Sequence, residues 1–196
     1  MRTVTTTAFI THFSRRSELV GLIVLVCLWF AEGACAEGIN VQSAAIEPVE
    51  DTYQLSVNFE VSFNQTIEDA INRGLVLPFI VEYEVTRPRW YWLDETVVKG
   101  SRSRQISYNA LTRQYRLTIG SLFQNFERLE DVRQVLTYSR VIDFVERGQL
   151  KKGMTYDVGV RMRLDVSRLP KPFQVNALAS RDWDLASDWH RFGYTP

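Results

Sequence analysis

Glu82 and Glu84 fall on one face of a strongly alternating stretch, with Asp94 and Glu95 a short way beyond them. Glycoside hydrolysis needs two carboxylates flanking the scissile bond, so this group is where a hydrolase would keep its acid and base. Adjacent same-face glutamates on a strand are more simply solvated charges, and a paired-carboxylate hydrolase is the third-ranked reading. His190 is the one histidine after residue 36. Ser187, Asp188 and His190 have the types of a nucleophilic triad, but they are neighbours in a tail, with neither a nucleophile elbow nor an oxyanion loop. A zinc ion takes three or four N, S or O ligands, which a lone histidine does not supply. Asp182, Asp184 and Asp188 lack the spacing of a calcium loop, and their expected role is pairing with Arg181 and Arg191. No Gly-rich phosphate loop or nucleotide fingerprint occurs. The expectation is a non-enzymatic protein with no catalytic residue, no metal and no cofactor.

Arg87, Arg89, Trp90, Tyr91 and Trp92 form the other group with binding chemistry. Guanidinium stacks well on indole, and Trp, Tyr and Arg are the types enriched at binding hot spots. Exposed, they would anchor a partner protein or stack on sugar rings. Folded inward, both tryptophans would sit in the core and the arginines would pair with Glu82, Glu84 or Asp94.

These residues hang on Leu75 to Leu93, a stretch that reads as a central strand followed by a Pro-pinned turn. Leu75, Leu77, Phe79, Val81, Tyr83 and Val85 take one side of a period of two, and the opposite side starts apolar and ends polar. Tyr53 to Phe63 alternates just as cleanly, and so does Tyr156 to Val166. Ile39 to Ile46 is a first strand that Pro48 is expected to end. Thr66, with Asp69, has the spacing of a helix N-terminal capping box, and Gly74 stops that helix. Gly100 to Ser103 reads as a polar turn, and Gln105 to Tyr108 with Tyr115 to Ile119 as a hairpin. Helical spacing predicts a second helix from Asn125 to Thr137. Pro170 and Pro172 break the tail, where Phe173, Val175 and Leu178 would return as an edge strand. Trp183, Leu185, Trp189 and Phe192 are too apolar for a free end. The whole predicts an all-β, two-sheet antiparallel β-sandwich, immunoglobulin-like, of seven or eight strands with two short inserted helices.

Residues 1–36 read as a secretory signal peptide and 37–196 as one periplasmic domain. Arg2, Arg15 and Arg16 form a basic start, Leu19 to Phe30 is an apolar run, and Ala34 and Ala36 frame a small-x-small cleavage site. The run is too short for a spanning helix, although an uncleaved N-terminal anchor is the alternative. Ser14, Arg15 and Arg16 also match the start of a twin-arginine signal, but Glu18 stands where an aromatic belongs, which favours Sec export. Cys27 and Cys35 would leave with the signal, so the domain would hold together by packing alone. Removing Arg2, Arg15, Arg16, Glu18 and Glu32 from a chain balanced at 23 basic and 23 acidic residues leaves a charge near −1. Such a balance gives no case for a nucleic-acid partner.

Four segments together resemble a known family: RGLVLPFIVEYEVTRPRWYWLDE, YNALTRQYRL, RMRLDVSRLPKPFQVNAL and SRDWDLASDW. Across about residues 40–194 the chain resembles the domain-of-unknown-function family numbered 4390. Its members are exported proteobacterial proteins described as proline-rich signal peptide proteins. The resemblance carries no assigned activity, hence no catalytic residue. It implies a cell-envelope role, with another envelope protein as partner in a sensor-kinase-linked pathway, because members are often encoded near a sensor histidine kinase of the nitrogen-regulation type. A carbohydrate or peptidoglycan binder using the Trp/Tyr/Arg group is the alternative from a different class.

Overall fold

The computed structural model describes residues 38–91 and 93–196, except for the side chains of Ile142 and Asp143. The expected signal segment, its cleavage residues Ala34 and Ala36, and Trp92 lie outside the described residues.

Alternation does most of the folding. In β2 (Thr52–Val61), Tyr53, Leu55, Val57, Phe59 and Val61 are buried and the residues between them are not. In β3 (Leu77–Arg87), Leu77, Phe79, Val81, Tyr83 and Val85 are buried. In β8 (Tyr156–Leu164) the buried set is Tyr156, Val158, Val160, Met162 and Leu164. A slip of one residue would turn any of these sets to water, so each register is fixed.

The remaining strands are β1 (Ile39–Val49), β4 (Glu95–Asn109), β5 (Gln114–Ile119), β6 (Leu122–Phe126), β7 (Tyr138–Glu146) and β9 (His190–Tyr194). They form two antiparallel sheets in the orders β1-β2-β7 and β6-β5-β4-β3-β8-β9. Both sheets contribute to one apolar cluster. Rings meet across it, Tyr83 against Phe144 with centroids 5.0 Å apart and Tyr53 against Tyr194 at 5.7 Å. Three α-helices, α1 (Gln65–Asn72), α2 (Leu129–Thr137) and α3 (Lys171–Ala179), and three short 3-10 turns complete the described elements.

The predominantly β, two-sheet antiparallel class is the one expected, with differences in the count. Nine strands and three α-helices are present among the described residues, against seven or eight and two. Pro48 does not end β1; it pairs with Tyr53, because β1 is an edge strand and needs no N–H there. Gly100 is not in a turn. It lies within the single long strand β4, directly across from Tyr83. The second helix starts at Leu129 rather than Asn125, since Phe126 ends β6 and pairs with Tyr115. The tail segment with Phe173, Val175 and Leu178 is α3, not an edge strand. Pro172 falls in its first turn, where a missing N–H costs no hydrogen bond. Phe173 and Ala177, one turn apart, pack on the core while Val175 and Leu178 stay exposed.

The cap of α1 also differs. Asn64, not Thr66, accepts the backbone N–H of Ile67 at 2.9 Å, as a good N-cap does. The Thr66 hydroxyl donates instead to the Asp182 carboxylate at 3.2 Å, and Asp69 accepts from Gln65. Gly74, with φ of 87°, stops the helix as expected. Trp183 and Leu185 are buried, so the tail packs down, and β9 pairs with β8.

At Gly100 the Tyr83 ring lies over bare backbone, and a Cβ there would run into the ring end. Tyr83 is itself buried against Phe144, so it has little room to yield. Gly100→Ala is expected to lower stability by about 1–3 kcal/mol through overpacking, read as a fall in the urea midpoint at unchanged slope; an unchanged midpoint would show that the ring is free to move.

Candidate functional site

The loop from β3 to β4 is short, and Pro88 fixes its entry by removing a donor and setting φ. At its apex Trp90 is 94% exposed and Tyr91 67% exposed, and Leu93 is exposed as well. The two rings meet edge to face, with centroids 4.9 Å apart and planes at 70°. Below them, the guanidinium groups of Arg87 and Arg89 both bind the Glu95 carboxylate. The Arg89 backbone N–H adds a bond to Asp94 at 3.3 Å. Arg89 first, and Arg87 with it, hold the Glu95 carboxyl below the usual carboxylate range, against a smaller opposing effect of burial. A cleft of about 340 Å³ opens at the root of the turn, lined by Arg87, Glu95, Val97, Gln149, Lys151 and Tyr156.

The structure sets Arg87, Arg89, Trp90 and Tyr91 at one end of the β3–β4 hairpin, and of the two readings of the tryptophans it places Trp90 outside the core. The arginines' partner is Glu95, rather than Glu82, Glu84 or Asp94. The side chains at 87 and 89 reach it because Arg87 and Glu95 face each other at the mouth of the hairpin.

Glu82 and Glu84 do share a strand face, but neither is simply solvated. Arg161 and Arg163, from β8, bind the two oxygens of Glu82 at 2.6 and 2.8 Å. Glu84 binds Arg191 of β9 at 2.5 Å, and Arg191 also reaches Asp157 at 3.1 Å. Trp189 lies over Gly159 in this array, with the Arg161 and Arg191 guanidinium carbons 4.7 and 5.7 Å from its ring centre. Arg163, aided by Arg161, holds the Glu82 carboxyl below its ordinary value, partly offset by burial. A carboxyl held in this way keeps no proton to donate at neutral pH, which is the wrong setting for a general acid.

The tail residues separate. Ser187 is buried and its hydroxyl accepts the Met162 N–H at 3.0 Å, so it serves the strand edge. His190 is half-buried with its ring 6.0 Å from that of Phe192. Asp182 accepts from Thr66, and Arg191 is engaged by Glu84 and Asp157, so the expected pairing of Asp182, Asp184 and Asp188 with Arg181 and Arg191 is not formed. Among the described residues no three His, Cys, Asp or Glu side chains converge as a metal would require, and no helix is long and apolar enough to cross a membrane.

One residue escaped the sequence reading. Arg104, on the inner face of β4, is 2% exposed, and its Nη2 donates to the buried Ser139 hydroxyl at 2.5 Å. Its Nε and Nη1 find no acceptor among the described residues. Burial alone pushes its pKa down to about 10. The signal was present: Arg104 is in phase with the buried Ile106, two residues on.

These features define a β-rich, two-sheet domain that displays an ion-clasped aromatic turn. Its sequence matches the family model Domain of unknown function (DUF4390) over residues 36–193, and the chain belongs to that family. Comparison with curated proteins and with solved structures gave no match in either set.

Glu82 gives a measurable pH dependence. Its carboxyl is depressed from an ordinary value of 4.5, so its stabilisation is complete above that value and is lost as pH falls through the lower folded-state value. Glu82→Gln should therefore cost about 1.5–3 kcal/mol at pH 7, the range for hydrogen bonds to charged groups. The difference from the native chain should shrink in denaturant titrations carried below pH 4.5; a difference constant across pH would show that the ion pairs contribute nothing.

Proposed function

We propose that this domain is a non-enzymatic interaction module of the cell envelope, exported to the periplasm, whose two sheets act as an immunoglobulin-like sandwich scaffold for the β3–β4 turn. One observation carries the reading: Trp90 and Tyr91 stand in water on a turn whose base is held by two arginines on one glutamate. Large apolar rings exposed side by side are costly in water unless something covers them. Holding the turn rigid in advance lowers the ordering cost of binding. Trp, Tyr and Arg are also the types that concentrate binding energy at protein interfaces. The expected partner is another envelope protein.

Glycan or peptidoglycan binding by the same rings is the competing use. The 70° angle between the two ring planes offers no flat two-ring platform for a sugar, which favours a protein partner. The hydrolase reading is weakened by the arginines that occupy Glu82 and Glu84.

Arg89→Ala combined with Trp90→Ala should leave the fold intact, with stability changed by less than about 1 kcal/mol, as for exposed side chains and surface ion pairs. Crosslinking of the tagged protein in its native cell, followed by mass spectrometry, should recover one stoichiometric protein partner from the native chain and none from the double variant. Retention on the cell wall without a protein partner would move the assignment to glycan binding, and unfolding of the variant would show that the turn serves the core.

A further inference from the structure

The two sheets are unequal, three strands against six, and the smaller one ends on β7. Phe144 and Ser139 place β7 above β3 and β4, through the Tyr83 ring and the Arg104 guanidinium respectively. Beyond β7 the inner face of the larger sheet is only partly roofed, by α2 with its buried Leu129, Val132 and Leu136.

Strand register shows what lies uncovered. Leu164, Phe79, Arg104, Ile119 and Leu122 are successive cross-strand partners from β8 to β6, so they form one row on that inner face. Leu164, Phe79 and Arg104 are buried, whereas Ile119 is 39% and Leu122 75% exposed. The row leaves cover just past Arg104. Arg102, two residues along the same face, is exposed over the Tyr83 ring and makes no ion pair among the described residues. A guanidinium offers five N–H donors, and Arg104 places one of its groups on a serine while Nε and Nη1 stay unpaired. A buried charge left in that state is costly, and a carboxylate with bidentate geometry is its natural complement.

We propose that the free edge of β7 receives an extended acidic segment of a partner protein. Such a segment would add a fourth strand to the smaller sheet, lay apolar side chains on Ile119 and Leu122, and bring a carboxylate to Arg104 and Arg102. Main-chain bonds to β7 supply affinity in strand addition, and alternate side chains supply the choice of partner. The surface is separate from the β3–β4 turn and does not depend on its role.

Selection of displayed random peptides about ten residues long, the upper length of a strand, against the whole protein tests this. The expected winners alternate Asp or Glu with β-branched residues, and their synthetic forms slow hydrogen exchange at β7 amides. Arg104→Met should raise the melting temperature yet weaken these peptides by at least about ten-fold, the cost of losing one side of a buried charge pair. Leu122→Glu, at an exposed position, should weaken them comparably without unfolding, and the Arg89/Trp90 double variant should bind them normally. Selection of no peptide, peptides without carboxylates, or binding unchanged in both Arg104→Met and Leu122→Glu would overturn the proposal. Concentration-dependent self-association through β7 would also overturn it, in favour of a second copy.

Discussion

Burial of one strand face governs this molecule. Leu77, Phe79, Val81, Tyr83 and Val85 are all fully or almost fully removed from water, and β3 is hydrogen-bonded on both sides, to β4 and to β8. A side chain of that size contributes about 1.5–3 kcal/mol when buried, so no other register of β3 competes. Once it is set, its neighbours follow. Gly100 must face the Tyr83 ring, Arg161 must face Glu82, and Gly159 must face Glu84. Between Val85 and Thr86 the pairing with β4 slips by one residue at a bulge that skips Val97, and this slip carries Arg87 opposite Glu95 at the end of the hairpin, where the aromatic turn begins. The display of Trp90 and Tyr91 is thus fixed from the core outwards.

The two faces of β3 solve different problems. Inside, apolar side chains meet the smaller sheet. Outside, Glu82 and Glu84 are covered by arginines from β8, the adjacent strand, and from β9, the strand beyond it, with Trp189 laid across Gly159. Cross-strand pairs of this kind each add modestly, and together they make a stiff charged face. The carboxylates of Glu82 and Glu84 are thereby engaged within the sheet. The surfaces proposed for recognition lie at the perimeter, in the β3–β4 turn and at the rim where three strands stop short of six.

The strands with clean alternation, β2, β3 and β8, were legible in the sequence because the physical rule and the pattern coincide there. The misread places share a cause: a local signal was ambiguous until a distant partner decided it. Gly100 looked like a turn residue, whereas a ring from the next strand demanded it. Arg102 and Arg104 looked polar in a polar run, which hid that Arg104 keeps phase with buried Ile106. The segment after Pro170 lacks the amphipathic stripe of an ordinary helix, and only its packing of Phe173 near Trp183, with ring centres 5.9 Å apart, shows what holds it. At the β3–β4 turn, spacing could not say which acid would clasp Arg87 and Arg89, since Glu82, Glu84, Asp94 and Glu95 were all near in sequence. The family resemblance was carried by whole segments and agrees with the match over residues 36–193.

The central claim is that the aromatic turn is the surface that meets a partner. Site-specific photo-crosslinking in the native cell tests it most directly, with the reactive side chain placed at Tyr91 or, as a control, at Leu111, a still more open position in the β4–β5 turn. One discrete protein adduct is expected from position 91 and none from position 111. Adducts of equal yield from both positions, or none from position 91, would contradict it.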